Sequence, residues 1–146
     1  MPKTVEAERF VLKDANGNPK AVLGVDHEGS PQLLMIGKTG QIRISILVDG
    51  EDEPSVVLSD PTGGRRIEVS VLSSGVPTVN LYDIDGNTRA TLHVANNGAP
   101  HLGLVDSKGN LRSVVCLFED GQPLVQLFDE EKKPVVRAPQ KSSFIA

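Results

Sequence analysis

The chain has 146 residues, 38% hydrophobic, 23% charged and only 3% aromatic, with no tryptophan. That length suits one domain able to bury a core, and the formal net charge of −4 argues against a general affinity for nucleic acid or anionic membrane. The longest wholly apolar run, Val114 to Phe118, is far short of a membrane span, no signal peptide opens the chain, and the single Cys116 excludes an internal disulfide.

Residues 1–7 show no pattern. From Glu8 onward the chain repeats with a period of 23 residues and no insertion or deletion. Pro31, Pro54, Pro77, Pro100 and Pro123 mark the unit starts, with Glu8 in the first. Asp14, Asp60, Asp83, Asp106 and Asp129 keep the same step, and Gly37 fills the second slot. Gly17, Gly40, Gly63, Gly86 and Gly109 come three residues after those slots, and Lys20, Arg43, Arg66, Arg89 and Arg112 three later again. Six units result, at about 8–30, 31–53, 54–76, 77–99, 100–122 and 123–145. Repeats of this kind are the first feature to settle in a chain, since they dictate its architecture.

Counting the leading proline as position one, apolar residues fall at positions three and five, then at fourteen, sixteen and eighteen. Period-two alternation marks strands with one buried face, and no stretch of ten residues has a helical period. The chain is predicted all-β, as six hairpin repeats, mainly antiparallel. Twelve strands in one flat sheet would be unusual, and a closed barrel of twelve would be too wide for these side chains to fill. The expected arrangement is therefore a propeller-like or two-layer array, with a β-solenoid as the alternative.

Taking the units in order, the first carries Asn16-Gly17, a dipeptide favoured in two-residue type I′ turns. Such a turn pairs position five with fourteen and three with sixteen, which keeps every apolar position on one face. A three-residue loop would set position five against the basic residue at thirteen. The second connection of each unit needs an odd-length loop to preserve the faces, and Gly29, Gly75, Gly98 and Gly121 fit a left-handed residue there.

The first three units are also apolar at position four of the opposite face, with Val11, Leu34 and Val57, and unit two adds Ile36 and Leu47. A strand apolar on both faces is usually covered on both, so these five residues are the candidate interface with a partner or a second copy. In unit three, "DPTGGRR" lacks the lysine and hydroxyl ending of a phosphate-binding loop. Unit four holds "LYDIDGNTR". Asp83, Asp85 and Asn87 begin the spacing of a calcium loop, but no glutamate follows at the required distance, so the turn reading prevails.

Arg43, Arg66, Arg89 and Arg112 form an outward basic stripe, a candidate anion-binding surface; Arg89 is expected over Tyr82 as a cation–π pair. Neighbouring aspartates offset its charge, which favours a plain solvated face. His93 and His101 lie near one another on the outward face, with Cys116 in the same column two strand spacings from His93, too far to share one ion. No catalytic constellation and no metal or cofactor site emerges. Unit six has Asp129-Glu130-Glu131-Lys132-Lys133 in place of a glycine turn, which predicts a looser bend, and Pro134 and Pro139 blunt the final edge. The tail "QKSSFIA" offers Phe144 and Ile145 for docking.

The recurring pattern is clearest in "PTVNLYDIDGNTRATLHV" and "PHLGLVDSKGNLRSVVCL", and it spans nearly the whole chain. It resembles uncharacterised bacterial proteins of tandem hairpin repeats; more distantly, "LYDIDGNTR" is similar to the YD-repeat shells of bacterial toxins. The resemblance implies a hairpin array and carries no activity or functional residue. The expected function is a non-enzymatic structural or protein-interaction module, a homo-oligomer or a subunit bound to another protein. The rival is a binding module for glycans or anionic polymers through the arginine stripe, although scarce aromatics weigh against sugar stacking.

Overall fold

The computed structural model describes residues 3–139, and these form twelve strands. In chain order they are β1 (Arg9–Lys13), β2 (Pro19–Val25), β3 (Pro31–Ile36), β4 (Ile42–Val48), β5 (Pro54–Ser59) and β6 (Arg65–Val71). Then follow β7 (Pro77–Tyr82), β8 (Thr88–Val94), β9 (Pro100–Val105), β10 (Leu111–Leu117), β11 (Pro123–Phe128) and β12 (Pro134–Ala138). All twelve lie in one open antiparallel sheet, each strand beside its neighbour in sequence. No helix occurs among the described residues. The all-β hairpin array is thus present, but the hairpins neither fold into a second layer nor close like a propeller. No described strand packs on any but its sequence neighbours. The tail with Phe144 and Ile145 lies outside the described residues.

The predicted pairing of each hairpin holds. Leu81 faces Ala90 and Val79 faces Leu92 across β7 and β8, and Leu12 faces Ala21 across β1 and β2. The turn that produces it is not the expected two-residue one. Asp83 N–H donates to Asn87 C=O (3.0 Å) and Gly86 N–H to Asp83 C=O (3.2 Å), which encloses a three-residue loop, Ile84-Asp85-Gly86. Gly86 takes the left-handed φ of 82°. This is a type I turn followed by a left-handed residue.

A second irregularity restores the register. Between Leu81 and Tyr82 the pairing shifts, so that Leu81 faces Ala90 while Tyr82 faces Thr88, and Arg89 is left as a bulge. The same bulge falls at Lys20, Arg43, Arg66 and Arg112. The extra loop residue and the extra strand residue cancel, so every aliphatic side chain of the repeat stays on one face. A three-residue loop does not scramble the faces when the basic residue beside it steps out of the ladder.

The second connections use the same three-residue loop without the bulge. Asp26 N–H donates to Ser30 C=O and Gly29 N–H to Asp26 C=O, and Val25 faces Pro31 directly. The odd-length expectation holds here. Unit six is not looser either: Lys132 adopts φ 63° in the glycine slot, and the Asp129–Lys133 turn keeps both backbone bonds. Asp52 does the same after β4, at φ 63°.

The absent second layer leaves no core in the usual sense. Only Val22, Ala99, Cys116 and Leu124 are buried among the described hydrophobic residues, and no large side chain is fully enclosed. Side chains shield one another along the face, as cross-strand neighbours do, and the ladder of backbone bonds supplies the remaining order.

Candidate functional site

Three features of the sheet carry side chains able to act: the turn edge, the mixed face and the aliphatic face. At the turn edge the Asp column is occupied with its own backbone. Asp83 Oδ1 accepts from Asp85 N–H (3.0 Å) and Asn87 N–H (2.9 Å), and Asp14, Asp60 and Asp106 bond their turns in the same way. Asp26 repeats the arrangement at the opposite edge. Asp83-Ile84-Asp85-Gly86 is a bend whose carboxylate closes the loop. Among the described residues no group of three or more His, Cys, Asp or Glu is placed to hold a metal ion.

These bonds hold the Asp83 carboxyl below the ordinary value of 3.8, chiefly through Asn87 N–H. Asp14, Asp26 and Asp106 shift the same way through Asn18, Ser30 and Asn110, and Asp60 first through the Thr62 hydroxyl. A carboxyl whose folded pKa is depressed stabilises the fold above its unfolded value and loses that contribution as pH falls through the folded one. The thermal midpoint should therefore be flat above about pH 5 and fall steadily below the ordinary carboxylate range. Asp83→Asn, which keeps the acceptor oxygen but no titratable group, should flatten that fall. A midpoint independent of pH down to about 2 would refute the coupling.

The basic column forms, but its heads are engaged. Arg43 Nε donates to Ser59 C=O (2.7 Å), Arg89 Nε to Val105 C=O (2.8 Å) and Arg112 to Asp129 C=O. Arg89 also pairs with Asp83 at 3.4 Å, and Arg112 with Asp106 at 3.8 Å. Arg89 and Arg112 thus fasten their own turns to the next hairpin, and Arg43 reaches the next hairpin alone. Gly37 interrupts the Asp column where Arg43 lies across the turn; a Cβ there would fall 2.7 Å from Arg43 Cγ. Arg66, the fourth of the stripe, is half-buried beside Asp60. Tyr82 does not sit under Arg89, because the bulge carries Arg89 toward β9. Arg65 covers the ring instead, at 4.9 Å, and Arg65 and the Tyr82 hydroxyl share Glu68. Partial burial and the Glu68 carboxylate push the Tyr82 hydroxyl pKa up.

On the mixed face, one row runs Val11, Val22, Leu34, Ser45, Val57 and then Glu68, Asn80, Thr91 across successive strands. Val11 and Leu34 flank Val22, which is 6% exposed, whereas Val57 stands apart from them between Ser45 and Glu68. Leu47 occupies the next row, between Gln32 and Ser55, and Ile36 stands at the turn end beside Ile42. Of the five, only Val11 is exposed. Farther along, His93 and His101 face each other directly, their rings stacked with centroids 5.0 Å apart, and His101 faces the buried Cys116.

The aliphatic face is the more exposed one, which pattern reasoning missed by assigning it to a core. Leu58, Leu81, Leu92 and Leu104 retain 38%, 43%, 48% and 47% of their surface, respectively. No described part of the chain packs against them. Across β2–β8 this face is dished into a groove of about 620 Å³ whose floor includes Leu33, Ile46, Val56, Val69 and Val79. A face this large, apolar and free of charge binds no ion and positions no proton. It can exclude water against another apolar surface.

Fold and face together define a tandem β-hairpin repeat protein with one uncovered aliphatic side. No family model and no curated protein matches the chain. Among solved structures it is similar to a mutant of S. aureus TarM in complex with fondaparinux, α-GlcNAc-glycerol and UDP, at 12% identity and a TM-score of 0.50. The likeness covers 73% of this chain but only 21% of that one, and it bears on the fold alone. No described helix is long and apolar enough to cross a membrane.

Proposed function

We propose that the protein is a non-enzymatic structural module whose aliphatic face docks on another protein surface within a larger assembly. The observation that supports this reading is the amount of surface left in water. A compact monomer of 15.6 kDa exposes about 7,250 Å² by the usual mass scaling. This chain exposes 10580 Å², a surplus of about 3,300 Å². A surplus of that size, on a chain with one charge-free aliphatic face, is expected of a subunit taken out of its assembly. The mixed-face residues Val11, Leu34 and Val57 are a secondary contact in this reading, since Leu34 and Val57 are already half-buried. Arg43, Arg89 and Arg112 of the stripe serve the fold, because they donate to backbone carbonyls and turn carboxylates.

Lysine at Leu58 and Val69 stands in water on an uncovered sheet and is excluded from an occupied one. In extracts of cells that make the protein, the wild-type chain should migrate in a complex well above its own mass. The Leu58→Lys, Val69→Lys chain should migrate alone with its strand content intact. A wild-type chain that runs at its own mass in such extracts would overturn the reading.

A further inference from the structure

We infer that the occupant of the aliphatic face is a second copy of this chain, packed face to face about a two-fold axis as a sandwich of two twelve-stranded sheets. The inference rests on the interaction reading above and names its partner. Three observations lead to it.

The first is area. Eleven inter-strand spacings of about 4.8 Å and strands of about 20 Å give one face roughly 1,050 Å² in projection. Two such faces bury about 2,100 Å², which falls in the range of obligate homodimers.

The second is composition. Among the strand residues that point to this side, only Ser113 is polar, and none is charged. The row on the opposite side carries Glu68 and Arg137. A partner for the aliphatic face needs an equally long and uncharged surface. The chain itself presents such a surface.

The third is periodicity. The ridges of the face recur at the inter-strand spacing over its whole width, because each unit repeats without insertion. A copy rotated by two-fold symmetry presents ridges at the same spacing, so side chains of the two sheets can interdigitate where the faces meet. An isologous contact of this kind closes at two copies. Stacked sheets sit about 10 Å apart with strands inclined by about 30°. That separation is filled by Leu, Ile and Val from both sides. Residues that are half-exposed in one copy become the core that a single copy lacks.

The test is sedimentation equilibrium of the purified full chain from about 100 µM downward, with circular dichroism on every sample. The wild type should sediment at twice 15.6 kDa. Val69→Lys with Leu58→Lys should raise the dissociation constant at least 100-fold and yield a species of single mass with native strand content. Should that pair fail to fold, Val69→Thr alone keeps the β-branched shape, and it should weaken the dimer about tenfold. Thr91→Lys, on the opposite face, should leave the mass unchanged. A wild type of single mass at about 100 µM would overturn the two-fold sandwich; if the same chain still ran in a larger complex in extracts, docking on a different protein would stand. A dimer insensitive to both aliphatic-face variants would overturn it too. So would a wild-type monomer that partitions onto neutral phosphatidylcholine vesicles through this face.

Discussion

Removal of all of residues 54–76 should damage this protein less than removal of Asn80 alone. Excision of the third unit joins Glu53 to Pro77, so the turn after β4 leads into β7 where it formerly led into β5. The pairs Val48 with Pro54 and Ile46 with Val56 become Val48 with Pro77 and Ile46 with Val79, in identical register. Every aliphatic residue stays on its face, and each remaining strand keeps two neighbours or its place at an edge. Stability in repeat arrays is close to a sum over units and their interfaces. The shortened chain should therefore unfold cooperatively, with a denaturant slope lower by about one-sixth.

Deletion of Asn80 has the opposite character. Val79 and Leu81 become adjacent and must point to opposite faces, while β7 is paired on both sides, to β6 and to β8. Either both ladders slip or a strand end is lost. The expected loss is about 3 kcal/mol or more, enough to unfold a sheet without a closed core. Urea titrations of the two deletions beside the wild type decide the matter. A shortened chain that fails to fold while the Asn80 deletion folds would remove the basis of the repeat description.

The second large effect concerns the left-handed slot of the turns. Gly86 sits at φ 82°, and nothing lies within 4 Å of a Cβ added there, so the cost of a side chain is conformational and not steric crowding. Gly86→Val should cost about 2 kcal/mol, because a β-branched residue tolerates that region poorly. Gly86→Asn should cost about half as much. The chain has already run the reverse experiment at Asp52 and Lys132, which hold φ 63° in equivalent turns. Asp52→Gly and Lys132→Gly should each stabilise by about 1 kcal/mol, read as a rise in the urea midpoint with unchanged slope. A fall in midpoint for both would show that these side chains make contacts worth more than their backbone strain.

The same turns show what a linear reading resolves and what it misses. Asn16-Gly17 and Asp85-Gly86 look like two-residue turns because that dipeptide favours them. The register of Leu81 with Ala90 was legible, since only that pairing keeps the aliphatic side chains together. Its mechanism was not. A two-residue turn and a three-residue turn with a bulged arginine place the flanking strands identically, and pattern alone cannot separate two solutions with the same outcome. Once the bulge is seen, the arginine column changes meaning. A guanidinium in regular strand geometry would project from the face, whereas one at a bulge swings sideways to Ser59, Val105 or Asp129. The position of Arg65 over Tyr82 follows from the same displacement.

By itself the sequence determined the period, the strand pairs and the two faces. All of these are short-range consequences of residue spacing, fixed within a few tens of residues by side-chain alternation and loop length. Only the tertiary structure decided what happens between distant hairpins. Whether units one and six meet, stack or stay apart depends on small twist angles accumulated over eleven strand pairs, and no residue type encodes such an angle singly. The sheet stays open and one layer thick. For that reason the aliphatic side, which pattern reasoning assigns to a core, stays half-exposed.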